Sequence, residues 1–76
     1  MNRIKRLSDL EVGDVGVIKC LPSDAGIKNK LMNIGVTVGT HVECIGESPL
    51  GDPKAFLIRG GVIALRFEDC FEIIMV

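Results

Sequence analysis

At 76 residues and 8.2 kDa the chain has room for one domain, 1–76, and a domain this small buries only about 60% of the surface its unfolded chain exposes, which argues against a deep catalytic cleft. Nine Lys and Arg against ten Asp and Glu leave a net charge of -1, too balanced for the phosphate neutralisation that DNA or RNA binding requires. Hydrophobic residues make up 47% but include only three aromatics, Phe56, Phe67 and Phe71, so the core must be mainly Val, Ile and Leu.

The basic cluster Arg3, Lys5 and Arg6 reads as a solvated N-terminal tail. In "LSDLEVGD", Leu7, Leu10 and Val12 precede Gly13-Asp14, a short turn able to tuck apolar side chains under the next strand. "VGVIKCL", Val15 to Leu21, is that strand, β-branched and ended by Pro22. The period then changes. Ile27, Leu31 and Ile34 fall at i, i+4 and i+7, one stripe of a short helix with Ser23 or Asp24 as N-cap and Gly35 just past its end. Alternation resumes in "VGTHVECIGE" and is interrupted by "SPLGD", with Pro53 biasing Asp52 towards an extended conformation.

"AFLIR" and "VIALR" flank Gly60-Gly61, a two-residue hairpin signal. With that loop, Arg59 opposes Val62, Ile58 opposes Ile63, Leu57 opposes Ala64, Phe56 opposes Leu65 and Ala55 opposes Arg66. Phe56, Ile58, Ile63 and Leu65 then share the core face, while Leu57, Arg59, Val62, Ala64 and Arg66 form an outer apolar patch bracketed by two guanidinium groups. "CFEIIMV" closes the chain as a last strand. The sum is a mainly β fold of about five short strands with one short α-helix after the first, for which a small barrel is the economical arrangement.

The chemistry is sparse. Three cysteines, Cys20, Cys44 and Cys70, fit no disulfide framework or CxxC pair, which agrees with a reducing compartment, and all three read as core packing. His41 and Cys44 stand three apart on a strand and so project to opposite faces rather than onto one metal ion. The sequence holds no phosphate-binding loop and no catalytic triad order. No catalytic residue, metal ligand or cofactor is therefore assigned. The longest apolar runs, "AFLI", "VIAL" and "IIMV", are far short of the roughly 20 residues that span a bilayer, and a cytosolic location with no direct membrane insertion is expected.

From Leu7 to Val76 the chain resembles the FeoA (ferrous iron transport protein A) family. The resemblance rests on "LSDLEVGD", on "KNKLMNIGVTVGT", on "SPLGDP" as the most specific element, and on "RGGVIALR" followed by "EDCFEIIMV". Val38, Gly61 and Cys70 depart from the family's usual proline, tyrosine and alanine. The resemblance implies an SH3-like barrel and a non-enzymatic accessory role on the cytosolic side of a FeoB-like ferrous iron transporter, and it leaves self-association open. Candidate contacts are then the loop residues Leu50, Gly51, Asp52 and Pro53, with Leu57, Arg59, Ala64 and Arg66 on the outer hairpin face. Two other readings compete with it: a metal-carrying or metal-responsive protein using Cys20, His41, Cys44 and Cys70, and a detached repressor-type interaction domain.

Overall fold

The computed structural model describes residues 5–76, so Arg3 lies outside the described residues. In chain order the elements are β1 (Lys5–Arg6), a 3-10 turn (Leu7–Asp9), β2 (Val15–Cys20), α1 (Ala25–Asn33), β3 (His41–Glu47), β4 (Lys54–Ile58), β5 (Gly61–Leu65), α2 (Phe67–Cys70) and β6 (Ile74–Met75). Neighbouring strands are antiparallel, in the order β1-β6-β2-β3-β4-β5. The mainly β expectation holds with six strands rather than five among the described residues, so the helix follows the second strand.

β2 makes the sheet curl. Its first half pairs with β3, Val15 opposite Glu43 and Val17 opposite His41, while Ile18 and Cys20 pair with Met75 and Ile74 of β6. One strand thus serves two sheets, and a register shift between Ile18 and Cys20 supplies the bend. Gly16 permits the close approach, since a Cβ there would stand 2.9 Å from Met75 Cε. A second shift in β3 leaves Ile45 unpaired between Cys44 and Gly46.

The core is filled by Leu7, Leu10, Ile18, Val36, Val42, Phe56, Ile58, Leu65, Ile73 and Met75, with Cys44 and Cys70. Val12, expected beside Leu7 and Leu10, is exposed. Asp24 is the cap of α1, its Oδ1 accepting from the Ile27 N–H at 3.0 Å, and Gly35 follows with φ +95. Of the expected stripe, however, only Leu31 is buried, at 1%, while Ile27 and Ile34 stay 41% and 39% exposed. A helix of 9 residues meets the sheet through one side chain and hands over to Val36 just past its end. Leu31→Ala is therefore expected to cost about 2–5 kcal/mol and Ile27→Ala about 0.5 kcal/mol or less, both read from urea midpoints.

The β4–β5 hairpin turns one residue earlier than expected. Arg59 and Gly60, at φ 51 and 81, are the loop, and Gly61 begins β5 opposite Ile58. Arg59 is held there because its stem packs near Gly35 and its guanidinium donates to Thr37 Oγ1 at 3.2 Å. Leu57 consequently opposes Val62, Phe56 opposes Ile63 and Ala55 opposes Ala64. Each partner moves by two positions, which leaves every side chain on its expected face. "CFEIIMV" departs further from expectation. Asp69 Oδ2 accepts from the Arg66 N–H at 3.4 Å, a cap that starts α2, so the last strand is reduced to Ile74 and Met75.

Candidate docking surface

"SPLGDP" folds on itself. The Gly51 N–H donates to Ser48 O at 2.8 Å with Gly51 at φ 84, the Ser48 N–H donates to Pro53 O at 3.1 Å, and Ser48 Oγ donates to Asp52 O at 2.6 Å. The Asp52–Pro53 peptide bond is cis. Held by these bonds, the loop leaves Leu50 94% exposed. Asp52 ties it to α2, because Oδ1 accepts from the Phe67 N–H at 2.7 Å.

That bond fixes an aromatic pair the sequence reading passed over. Phe67 and Phe71 lie one helical turn apart, their ring centroids 5.4 Å apart and tilted by 40°. They are 55% and 45% exposed. The Arg6 guanidinium sits 4.5 Å from the Phe71 ring centroid and donates to Phe71 O at 2.6 Å, while the Arg6 N–H donates to Asp9 Oδ2 at 3.0 Å. Arg6 is thus a fixed part of this surface and not a solvated tail. The available signal was "FEDCF", two aromatics at i and i+4 with acidic residues in the first turn; the reading of "CFEIIMV" as a strand concealed it.

Beneath the pair, a cavity of about 20 Å³ is lined by Ser8, Gly51, Asp52, Lys54, Leu65, Phe67 and Cys70. Ordinary ligand pockets run to roughly 300–1,000 Å³, so this one is too small to hold a substrate. Lys54 Nζ crosses it, donating to Ser8 O at 3.2 Å and Leu10 O at 2.7 Å. Burial pushes the Cys70 thiol up to about 12, with the carboxylates of Asp69 and Asp52 adding to the effect. A thiol raised in the folded state stays protonated there while the unfolded chain ionises. Its contribution to stability is therefore whole below about 9 and lost as pH climbs towards about 12. With Cys44 also buried and Cys20 exposed, a disulfide-exchange reagent at neutral pH is expected to titrate one thiol rapidly in the native chain and all three after unfolding. Cys20 is in this respect a correction to its reading as core.

The eight expected contact residues do not form one patch. Of Leu50, Gly51, Asp52 and Pro53, Asp52 bonds to the start of α2, where Arg66 is the N-cap, and Gly51 lines the same small cavity as Phe67. Leu57 and Arg59 lie at the other end of the hairpin, lining an open depression of about 190 Å³ with Val15, His41 and Glu43. Ala64 opposes Ala55, so it is not the cross-strand neighbour of Leu57. Val15, Glu43, Leu57 and Val62 instead form one lateral row across four strands. His41 is exposed and Cys44 buried, on opposite faces of β3. Among the described residues no three His, Cys, Asp or Glu side chains converge as a metal site, and no helix is long and apolar enough to cross a membrane.

The sequence model described as "FeoA domain" matches residues 5–75. Among solved structures, a FeoA-like protein of Clostridium acetobutylicum superposes with a TM-score of 0.89 at 25% identity, covering 100% of this chain and 88% of that one. Iron(II) transport protein A of Clostridium thermocellum gives 0.88 at 32% identity, covering 95% of this chain and 45% of that one. The FeoA of Stenotrophomonas maltophilia, described as a prokaryotic SH3 domain protein and solved with zinc, gives 0.77 at 21% identity over 95% of this chain and 89% of that one, which bears out the SH3-like fold. No curated protein matches.

Proposed function

Since the chain belongs to the FeoA domain family, we propose that it is a non-enzymatic accessory of ferrous iron uptake, docking by its surface on the cytosolic side of a FeoB-type transporter. The observation that carries this reading is the presented pair Phe67 and Phe71, steadied by Arg6 and by Asp52 of the "SPLGDP" loop, a loop that also exposes Leu50. A chain with three aromatics that leaves two of them half in solvent forgoes burial free energy for a surface. Aromatic side chains in such positions are the usual anchors of protein interfaces.

The test is uptake of radiolabelled ferrous iron, under reducing conditions, by cells deprived of this chain. Uptake is expected to fall and to recover with the wild-type chain but not with Phe67→Ser/Phe71→Ser. Recovery by the double variant would shift the docking surface to the row around Leu57, and unchanged uptake without the chain would refute the role.

A further inference from the structure

We propose that β5 is an open sheet edge that accepts an extended, acidic-ended segment of a partner protein as an added strand. Among the described residues β5 pairs with β4 alone. With Arg59-Gly60 as a two-residue loop, Ile58 and Gly61 form a hydrogen-bonded pair. Alternation then points the N–H and C=O groups of Val62 and Ala64 away from β4. Sheet edges are normally blunted by proline, by charge or by a bulge. "GVIAL" has none of these, and β5 runs its 5 residues in unbroken register with β4.

Charge identifies the occupant. β5 spans roughly 17 Å and is uncharged, but exposed arginines flank it, Arg59 in the turn before and Arg66 immediately after. A second copy paired antiparallel about Ile63 would set Arg66 against Gly60 of its partner and Arg59 against Phe67, bringing four guanidiniums to the junction against only the two Glu68 carboxylates that follow Phe67. A strand carrying a carboxylate at each end meets complementary charge instead. Its side chains on one face would continue the Val15–Glu43–Leu57–Val62 row, where Val62 is already exposed.

The inference rests on the docking reading but is tested without any transporter. The probe is the blocked peptide ETVTVTE, added to isotope-labelled full chain and followed by amide shifts and hydrogen exchange, with KTVTVTK as its counterpart. The acidic peptide is expected to shift resonances along β5 and to slow exchange at Val62 and Ala64 by about tenfold or more, while the lysine-ended one does neither. Ala64→Pro should abolish the effect with the fold intact, because an outward N–H is where an edge strand tolerates proline. Arg59→Glu/Arg66→Glu should reverse the preference between the peptides. Equal response to both peptides, shifts confined to Phe67 and Phe71, or a sedimenting dimer that Ala64→Pro dissociates would overturn the proposal. Should the peptide fail while iron uptake still depends on the chain, the edge is wrong and the docking reading stands.

Discussion

Phe56→Ala is expected to cost about 3–5 kcal/mol, the range for emptying a buried aromatic site. Phe56 is fully buried in β4, with Cys44 opposite on β3 and Ile63 opposite on β5. It is the largest side chain of the core and the only aromatic one. Collapse around the cavity is restricted, since β4 is held in register on both sides. In a chain of 76 residues a single core rarely supplies more than about 3–5 kcal/mol, so the variant should stand near its unfolding transition at room temperature. Urea denaturation checks this: a midpoint displaced downwards with unchanged slope agrees, and a loss below about 1 kcal/mol would mean that the core is not centred on Phe56.

Phe67→Ser/Phe71→Ser is expected to do the opposite, sparing the fold and removing the function. Each ring is about half in solvent, where substitutions usually change stability by about 0.5 kcal/mol or less. Loss of the Arg6 contact to Phe71 adds about 0.5–1 kcal/mol at an exposed site. Anchors at the centre of an interface are worth about 2 kcal/mol or more each, so affinity for the transporter should fall about 30-fold or more for one ring and towards several hundred-fold for both. Circular dichroism separates the two effects: a native spectrum with lost binding agrees, whereas an unfolded double variant would show that α2 belongs to the core through its rings and not through Cys70 and the neighbouring Ile73.

The contrast between Phe56 and Phe67 also marks where the sequence was legible. Strand alternation is local, so Val42, Cys44, Phe56, Ile58 and Leu65 could be placed on the buried face from their spacing alone, and the even slip of the hairpin left those faces unchanged. The loop position was not legible, because "RGG" offers two successive pairs of turn residues and the choice depends on Thr37 and Gly35, both distant in sequence from Arg59. The helix stripe misled for a similar reason: periodicity names a face, but the contact available to α1 was one residue wide. The candidate surface was half legible. "SPLGDP" was identified from the family resemblance, yet its partner α2 depends on a hydrogen bond from the Phe67 N–H to Asp52, 15 residues earlier, and on Arg6, 65 residues from Phe71. Such long-range bonds leave no periodic trace.

The central claim, that this surface exists to bind a ferrous iron transporter, is tested most directly by titrating the purified chain onto a FeoB-type transporter held in lipid nanodiscs. Saturable binding is predicted, equal in chelator and in added ferrous iron, at a dissociation constant in the roughly micromolar range of small transient interfaces. Binding that requires a metal ion would point instead to the metal-carrying reading. No binding at concentrations of about 1 mM would contradict the account.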